Sequence, residues 1–265
     1  LRCLQFAYNC QIEHPVGVFL WKRLHFPILK KGFITMSAII LGHKHPDTDS
    51  IVSAIACTDL YRQRGLDVKA AAQGTPAPET AFVLERFGLE APEVVTSVAG
   101  KDVYIVDYSD LNQAPDDFKD CTLKGIVDHH KLGDMTSSAP LEIVIMPVGC
   151  TNTILKRMYD YLGFVPPKNI AGAMLCAILS DTVIFKSPTC TPADKAAAAE
   201  LAEIAGIKDI EALGMELFTA KSAVKGVAAR DLIMRDFKDF NMSGSKVGIG
   251  QLELVDLKLL EDRIP

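Results

Sequence analysis

The sequence predicts an α/β fold: a mostly parallel sheet with helices on both faces, followed by the start of a second, incomplete α+β domain. Three observations lead to this class. From Met36 onward, short apolar runs alternate with helical patterns, as in chains that build parallel sheets. Acids and histidines follow several of these runs, where open α/β sheets bind their ligands. After about Val224 the pattern changes, and the remaining helix and strand are too few for an independent domain.

The elements of the sheet domain follow in chain order. A buried strand at 38–41 ends at Gly42, and the helix at 48–64 places apolar residues on one side and ends at Gly65. The same patterns predict a strand at 68–72, a helix at 79–87, strands at 103–106, 125–127 and 142–146, and helices at 151–162 and 170–179.

The last elements include a capped helix and a different kind of segment. An alanine-rich helix is predicted from Thr191-Pro192 to Gly206, because a hydroxyl caps a helix and proline suits its first position. A charged amphipathic helix at 231–240 and an alternating strand at 247–255 follow. We therefore expect a sheet domain at 36–223 and the beginning of a truncated C-terminal domain at 224–265.

Residues 1–35 stand apart because they show no clean period and begin with Leu1. Their longest apolar run, 16–21, is shorter than the roughly 7–15 residues of a signal-peptide core. We expect Met36 to be the native start and the preceding stretch to be upstream sequence translated in frame. A targeting extension is the alternative, because the stretch is basic.

Composition narrows the function classes. The 265 residues are 49% hydrophobic and 23% charged, as in soluble globular proteins, and no apolar run reaches the roughly 18 residues of a membrane span. The net charge of −5 argues against nucleic acid as a partner. Seven scattered cysteines favour a reducing cytoplasm over a disulfide framework, and Cys150, in an apolar stretch, is expected to act as a small hydrophobe.

Acids and histidines cluster after four apolar segments. Residues 42–49 read Gly-His-Lys-His-Pro-Asp-Thr-Asp, Asp107 follows the strand at 103–106, residues 128–130 read Asp-His-His, and residues 180–182 read Ser-Asp-Thr. A single such Asp usually caps a helix or forms a turn. Several carboxylates at one sheet edge repel one another, and bound cations relieve that repulsion. Imidazole and carboxylate ligands without a thiolate indicate Mn, Co, Fe or Zn. The ligands are numerous enough to hold two ions.

The order of these motifs resembles that of the DHH phosphoesterase superfamily. Two further stretches, Pro-Val-Gly-Cys-Thr-Asn-Thr-Ile at 147–154 and Phe-Lys-Ser-Pro-Thr at 185–189, are similar to family II inorganic pyrophosphatases. The resemblance runs from about Ser37 to the end of the chain. It implies a manganese-dependent enzyme that hydrolyses inorganic pyrophosphate with a metal-activated hydroxide.

The resemblance also implies a ligand set. One metal would be held by His43, Asp47 and Asp107, and a second by Asp49, Asp107, His129 and Asp181, with Asp107 bridging. The ions would be two Mn²⁺, with Co²⁺ as an alternative, and a further Mg²⁺ or Mn²⁺ would arrive with the substrate. His130 and Lys238 would contact the substrate phosphates as catalytic residues. A homodimer is implied as well.

The chain departs from the family pattern in two places. His45 stands where the family more often has Asn, either as an additional donor or as an exposed turn residue. The Arg-Lys pair that clamps pyrophosphate in the family's second domain does not occur between residue 224 and the end. Two alternatives therefore remain: another DHH phosphoesterase, acting on oligonucleotides, nucleotide bisphosphates or polyphosphate, and a catalytically weak metal-binding fragment.

Overall fold

Parallel strands form the centre of the computed structural model, which describes residues 37–263 apart from 225, 235, 236 and 253. In this part of the chain six strands make one sheet in the order β3-β2-β1-β4-β5-β6. Their bounds are Ala38–Leu41 (β1), Val68–Ala72 (β2), Glu93–Val94 (β3), Asp102–Val106 (β4), Thr122–Asp128 (β5) and Glu142–Ile145 (β6). Every pairing is parallel, which confirms the predicted α/β class with a mostly parallel sheet. The predicted upstream extension at 1–35 lies outside the described residues.

The strand order reverses between β1 and β4, which are neighbours although they are not consecutive in the chain. The chain leaves β1 toward β2 and β3 on one side, and continues from β4 toward β5 and β6 on the other. Such a reversal leaves a crevice at the carboxyl ends of the two central strands. Residues that follow β1 and β4 therefore face each other across this crevice.

One face of the sheet packs against α-helices in a continuous core, where Ile40, Val106 and Val127 contact the helical side chains. The helices are Thr48–Gln63 (α1), Pro78–Phe87 (α2), Thr151–Leu162 (α3), Lys168–Asp181 (α4), Pro192–Ala205 (α5), Ile210–Lys221 (α6) and Ala229–Ile233 (α7). Of these, α6 was not predicted from the sequence. No described helix has both the length and the apolar character that crossing a membrane requires.

The opposite face buries the alternate strand residues, among them Ile39, Leu41 and Ile105. They pack with residues such as Phe118, in the segment that contains two 3-10 turns, Leu111–Gln113 and Phe118–Asp120. Short helical turns in the segment between β4 and β5 therefore lie on this face.

The C-terminal segment differs from the prediction. The helix predicted at 231–240 is wrong, because α7 ends at Ile233 and residues Phe237–Met242 form a strand, β7. This strand pairs antiparallel with β8, Ser245–Gly250, through a two-residue turn at Ser243 and Gly244. Both turn residues have positive φ, +52° and +88°, as the right-handed twist of a tight hairpin requires. The turn chemistry thus outweighs the charged, helix-like pattern.

Candidate metal centre

The four motif segments converge at the crevice between β1 and β4. His43 follows β1, Asp107 follows β4, His129 follows β5, and Asp181 ends α4. Gly42 allows the end of β1 to lie close to α1, because a Cβ at this position would lie 2.0 Å from Ser50 Oγ on α1. The sheet edge and the start of α1 can therefore meet closely.

His43 lies between two carboxylates. Its Nε2 is 3.5 Å from Asp47 Oδ1 and 3.4 Å from Asp107 Oδ2. Two donors bound to one ion at about 2.1 Å lie about 3.0 Å apart at a right angle and about 3.4 Å apart at the tetrahedral angle. The spacing of these three groups thus fits one ion. Asp47 also caps α1 by accepting a hydrogen bond from Ser50 N at 2.9 Å.

Asp107 is buried and turns its two oxygens toward different groups. Oδ2 faces His43, whereas Oδ1 lies 3.4 Å from His129 Nε2 and accepts a hydrogen bond from Thr151 Oγ1 at 3.0 Å. Its φ of +68° is in the left-handed region, which a non-glycine residue adopts at a cost of roughly 1 kcal/mol. This backbone conformation directs the carboxylate into the crevice.

Both histidines present the same ring nitrogen to the centre. His43 Nδ1 donates to the Lys44 carbonyl at 2.7 Å, and His129 Nδ1 donates to the Val148 carbonyl at 3.1 Å. Because a carbonyl can only accept, Nδ1 carries the proton and the lone pair of the neutral ring lies on Nε2. Metal-ligating histidines are typically oriented by such a bond.

Asp49 is fixed by the first turn of α3. Its Oδ1 accepts hydrogen bonds from Asn152 Nδ2 at 2.6 Å, Cys150 Sγ at 3.0 Å and Ser53 Oγ at 3.1 Å. Its Oδ2 accepts from Thr151 N at 2.7 Å and lies 4.0 Å from His129 Nε2. These donors saturate Oδ1, so that Oδ2 is the oxygen presented to the centre.

The residues at the start of α3 were not predicted as part of the site. The sequence predicted Cys150 to be a small hydrophobe and the centre to contain no thiol, whereas the Sγ of Cys150 contacts Asp49. The similarity of residues 147–154 to a family motif was the available signal, but a motif does not say which side chain it serves. Only the packing of α3 on α1 reveals the contact.

Asp194, on α5, holds this helix start in place. The buried carboxylate accepts hydrogen bonds from Gly149 N at 2.9 Å and from Thr153 Oγ1 at 2.6 Å. It also accepts from the backbone and the hydroxyl of Thr191, both at 2.7 Å, and completes the capping box of α5. Gly149 leaves room for it, since a Cβ there would lie 3.0 Å from Asp194 Oδ2.

Asp181 reaches the centre from the last turn of α4. One of its carboxylate oxygens lies within 4.8 Å of donor atoms of Asp49 and Cys150. The chain then makes a left-handed turn, with φ between +50° and +63° at Val183, Ile184 and Phe185. The helix thus ends abruptly beside the crevice, and Asp181 is its last residue.

His130 is half exposed and is oriented by Asp128. The buried Asp128 Oδ1 accepts hydrogen bonds from the backbone N of His130 at 3.0 Å and from its Nδ1 at 2.9 Å. His130 Nδ1 is also 3.8 Å from Asp107 Oδ1. The ring therefore borders the metal-ligand cluster and exposes its other side to solvent. His45 is an exposed residue in the left-handed region, with a φ of +53°.

Comparison with known proteins identifies the family. The DHH family N-terminal domain matches residues 37–178, and the DHHA2 domain matches residues 215–264. A relative from Archaeoglobus fulgidus is 49% identical over 237 residues, which cover 85% of this chain and 74% of the relative. The manganese-dependent inorganic pyrophosphatase of Methanothrix thermoacetophila is 45% identical over 219 residues, 82% of this chain and 70% of that protein. The chain belongs to the family of manganese-dependent inorganic pyrophosphatases.

Solved structures agree with this family. A Methanococcus jannaschii protein named as a family II inorganic pyrophosphatase superposes with a TM-score of 0.75 at 43% identity, over 84% of this chain and 74% of that chain. An exopolyphosphatase-related protein from Bacteroides fragilis has a TM-score of 0.57 at 15% identity, which shows the common fold alone. The DHH domain match spans the crevice residues from His43 to Cys150, and Asp181 lies three residues beyond its end at residue 178.

Lys238, the predicted phosphate ligand, lies within the DHHA2 domain match. Its backbone belongs to β7, and its side chain lies outside the described part of the structure. Its role therefore stays a prediction.

The charges of this pyrophosphatase-family centre shift the pKa values of the candidate ligands. Burial, with the negative charge of Asp107, raises the pKa of Asp49 to about 6. Burial and the charges of Asp49, Asp47 and Asp107 raise the pKa of Asp181 well above its usual range. Burial alone would lower the pKa of His129, but the hydrogen bond and charge of Asp107 outweigh it and raise the value to about 10.

Metal binding by this centre is expected to strengthen as pH rises. His129, whose pKa is raised to about 10, carries a proton near neutrality, and the raised pKa of Asp181 favours its protonated form, so a metal ion that uses these groups competes with protons. Between pH 6 and 8 we expect the logarithm of the Mn²⁺ affinity to increase by about one unit or more per pH unit. Calorimetric titrations in buffers of different ionisation enthalpy would count the released protons. An affinity that does not change with pH would contradict this electrostatic description.

Proposed function

We propose that this chain hydrolyses inorganic pyrophosphate to two phosphates at a centre of two manganese ions. The observation that carries the proposal is the arrangement around Asp107, whose two carboxylate oxygens face two different histidines. A shared carboxylate between two donor groups is suited to a pair of ions that clamps a phosphoanhydride. The names of the relatives supply the substrate and the metal.

The proposed ligand sets follow the two sides of Asp107. One ion would be held by His43, Asp47 and Asp107, and the other by Asp49, Asp107, His129 and Asp181. The oriented Nε2 atoms and the excess of carboxylates fit such ions chemically. Bound metal supplies Lewis-acid stabilisation and a water of lowered pKa. Co²⁺ is an alternative ion, and a further Mg²⁺ or Mn²⁺ would accompany the substrate.

The protein groups would act by positioning and charge. Asp128 holds the His130 ring in one orientation by accepting from Nδ1, so that in the doubly protonated form of the ring the other nitrogen, Nε2, can donate a hydrogen bond to a substrate phosphate. The saturated Oδ1 of Asp49 prevents that carboxylate from rotating away from the crevice. Lys238 would neutralise further phosphate charge from the C-terminal segment. In phosphoryl transfer, such positioning and electrostatic stabilisation account for most of the catalysis.

The remaining assignments are proposals of the same kind. We assign the DHH metal-binding domain to 36–223 and the start of the substrate-clamping domain to 224–265. We further propose a cytoplasmic homodimer without a nucleic-acid partner, in line with the net charge of −5. The edge strand β6, with Ile143 half exposed among the described residues, offers one surface for such a dimer.

The test of the proposed function is phosphate release from pyrophosphate by the metal-stripped chain after stepwise addition of Mn²⁺. We expect release to rise until two ions are bound per chain, and to exceed release from adenosine triphosphate or from short oligonucleotides. Two bound ions without phosphate release from pyrophosphate would contradict the proposed activity but would support the assignment of the metal centre. Preferential release from another phosphoester would point to a different DHH phosphoesterase.

Replacing Lys238 by Ala is expected mainly to raise the KM for pyrophosphate, because this lysine is proposed to bind phosphate and not metal. We expect an increase of roughly tenfold or more, since a charged hydrogen bond contributes about 1.5–3 kcal/mol. Steady-state kinetics would separate KM from kcat. Lys246→Ala, on the paired strand β8, is the matched control. If both variants had the same KM, the assignment of Lys238 would fail.

A further inference from the structure

Cys150 brings a buried sulfur to the metal centre, and the proposed hydrolysis does not need it. Its Sγ lies 3.0 Å from Asp49 Oδ1, and no part of the residue is exposed. The sulfur, an oxygen of Asp49 and an oxygen of Asp181 lie within 4.8 Å of one another. His129 Nε2 lies 4.0 Å from the other oxygen of Asp49. A thiol, two carboxylates and an imidazole therefore surround one side of the crevice.

The spacing of these atoms suits a single small cation. Zinc binds sulfur at about 2.3 Å and carboxylate oxygen at about 2.0–2.2 Å, which places the two donors about 3.6 Å apart at the tetrahedral angle. The Sγ–Oδ1 distance of 3.0 Å is shorter, and the outer limit of 4.8 Å for the three donors is longer. The Asp49 carboxylate is held by its hydrogen bonds to Thr151 and Asn152, so small rotations of the Cys150 and Asp181 side chains would bring the sulfur and both carboxylates onto one ion.

The donor types favour a different class of metal from manganese. Mn²⁺ suits carboxylate and other oxygen ligands, whereas thiolate selects softer ions, and zinc binds a given site more tightly than manganese. A centre of aspartates and histidines alone would discriminate less strongly. The additional sulfur shifts the preference of this side of the centre toward thiophilic cations.

We propose that Cys150, Asp49 and Asp181 form a site for a thiophilic divalent cation, such as Zn²⁺ or Cd²⁺, which excludes Mn²⁺ from the same side of the centre. On binding, a metal–sulfur bond forms and the thiol proton leaves to solvent. The inference rests on the proposed metal centre, because it uses two of its ligands. The proposed site adds a sulfur ligand to that centre, and the sulfur takes part only when the cation is soft.

A titration of the whole, metal-stripped chain with Cd²⁺ tests the proposal. We expect an ultraviolet thiolate-to-cadmium charge-transfer band. Its intensity should saturate once one equivalent of Cd²⁺ is tightly bound, and the band should be absent in Cys150→Ser. In competition experiments, the preference for Cd²⁺ over Mn²⁺ should fall by roughly tenfold or more in that variant. Cys176→Ser is the matched control, since Cys176 is equally buried but lies in the helical core. It should retain both the band and the preference.

A second measurement needs no variant. The ¹¹³Cd resonance of the native chain with one equivalent of Cd²⁺ should lie in the shift range of sulfur-ligated cadmium. A shift typical of nitrogen and oxygen ligands alone, or a band that persists in Cys150→Ser, would overturn the proposal. Mn²⁺-dependent phosphate release is assayed separately, so its absence would count against the proposed function and not against the cadmium site.

Discussion

Replacing Asp107 by Asn should remove most of the Mn²⁺ affinity and most of the pyrophosphatase activity together. The buried carboxylate lies 3.4 Å from Nε2 of both His43 and His129, so the loss of its charge lowers the metal affinity at both proposed positions. Asn is chosen because it tolerates the left-handed backbone at φ +68°, where Ala would add strain. We expect the metal affinity to fall by roughly a hundredfold or more, beyond what the loss of an outer partner causes.

The control for this variant lies at the other end of the same strand. Asp102 begins β4, is 45% exposed and pairs with Lys124 at 3.3 Å. Asp102→Asn should leave the Mn²⁺ affinity unchanged within experimental error, because exposed ion pairs contribute little to stability. Equilibrium dialysis against Mn²⁺ and phosphate release would be measured on both variants. Unchanged manganese binding in Asp107→Asn would show that the bridging assignment is wrong.

Replacing Asp194 by Ala should produce the largest loss of stability. Its carboxylate is fully buried and accepts hydrogen bonds from Gly149, Thr153 and Thr191, and Ala would leave these donors without their acceptor. Each buried donor that loses its partner costs about 1–3 kcal/mol. We expect the free energy of unfolding to fall by about 3–5 kcal/mol, measured by urea denaturation of the metal-free protein.

A second aspartate separates this effect from ordinary helix capping. Asp209 caps α6. Its exposed carboxylate accepts a hydrogen bond from Ala212 N at 2.9 Å. Asp209→Ala should cost about 1 kcal/mol. Asp194→Ala should also weaken Mn²⁺ binding, because Gly149 leads into the turn that fixes Asp49. Equal losses in the two variants would contradict the role of Asp194 in holding the start of α3 in place.

The sequence predicted the sheet domain well because local signals agreed with the tertiary structure. Strand β1 ends at Leu41 and α3 stops at Gly163, as the apolar run and the glycine indicated. The two-residue strand β3 was missed because so short a segment has no period of its own. In the C-terminal segment the pattern favoured a helix, but pairing between β7 and β8 decides the structure.

The candidate site was predictable only in part. His43, Asp107 and His129 follow strands that end at the same sheet edge, so their proximity follows from topology. Asp49 and Cys150 meet because α1 and α3 pack together, and no spacing along the chain encodes a contact across 101 residues. The hydrogen bonds from Gly149 and Thr153 to Asp194 depend in the same way on how α5 lies against α3.

The two histidine bonds to backbone carbonyls have a consequence for mutational tolerance. Where a carboxylate side chain orients a ligand histidine, a substitution of that carboxylate can disorient the ligand without touching it. Here the acceptors are the carbonyls of Lys44 and Val148, and every amino acid supplies a carbonyl. Side-chain changes at these two positions leave the acceptors in place as long as the chain path is kept. The orientation of both rings is therefore inherited from the course of the backbone, and mutational damage should concentrate on the ligands themselves.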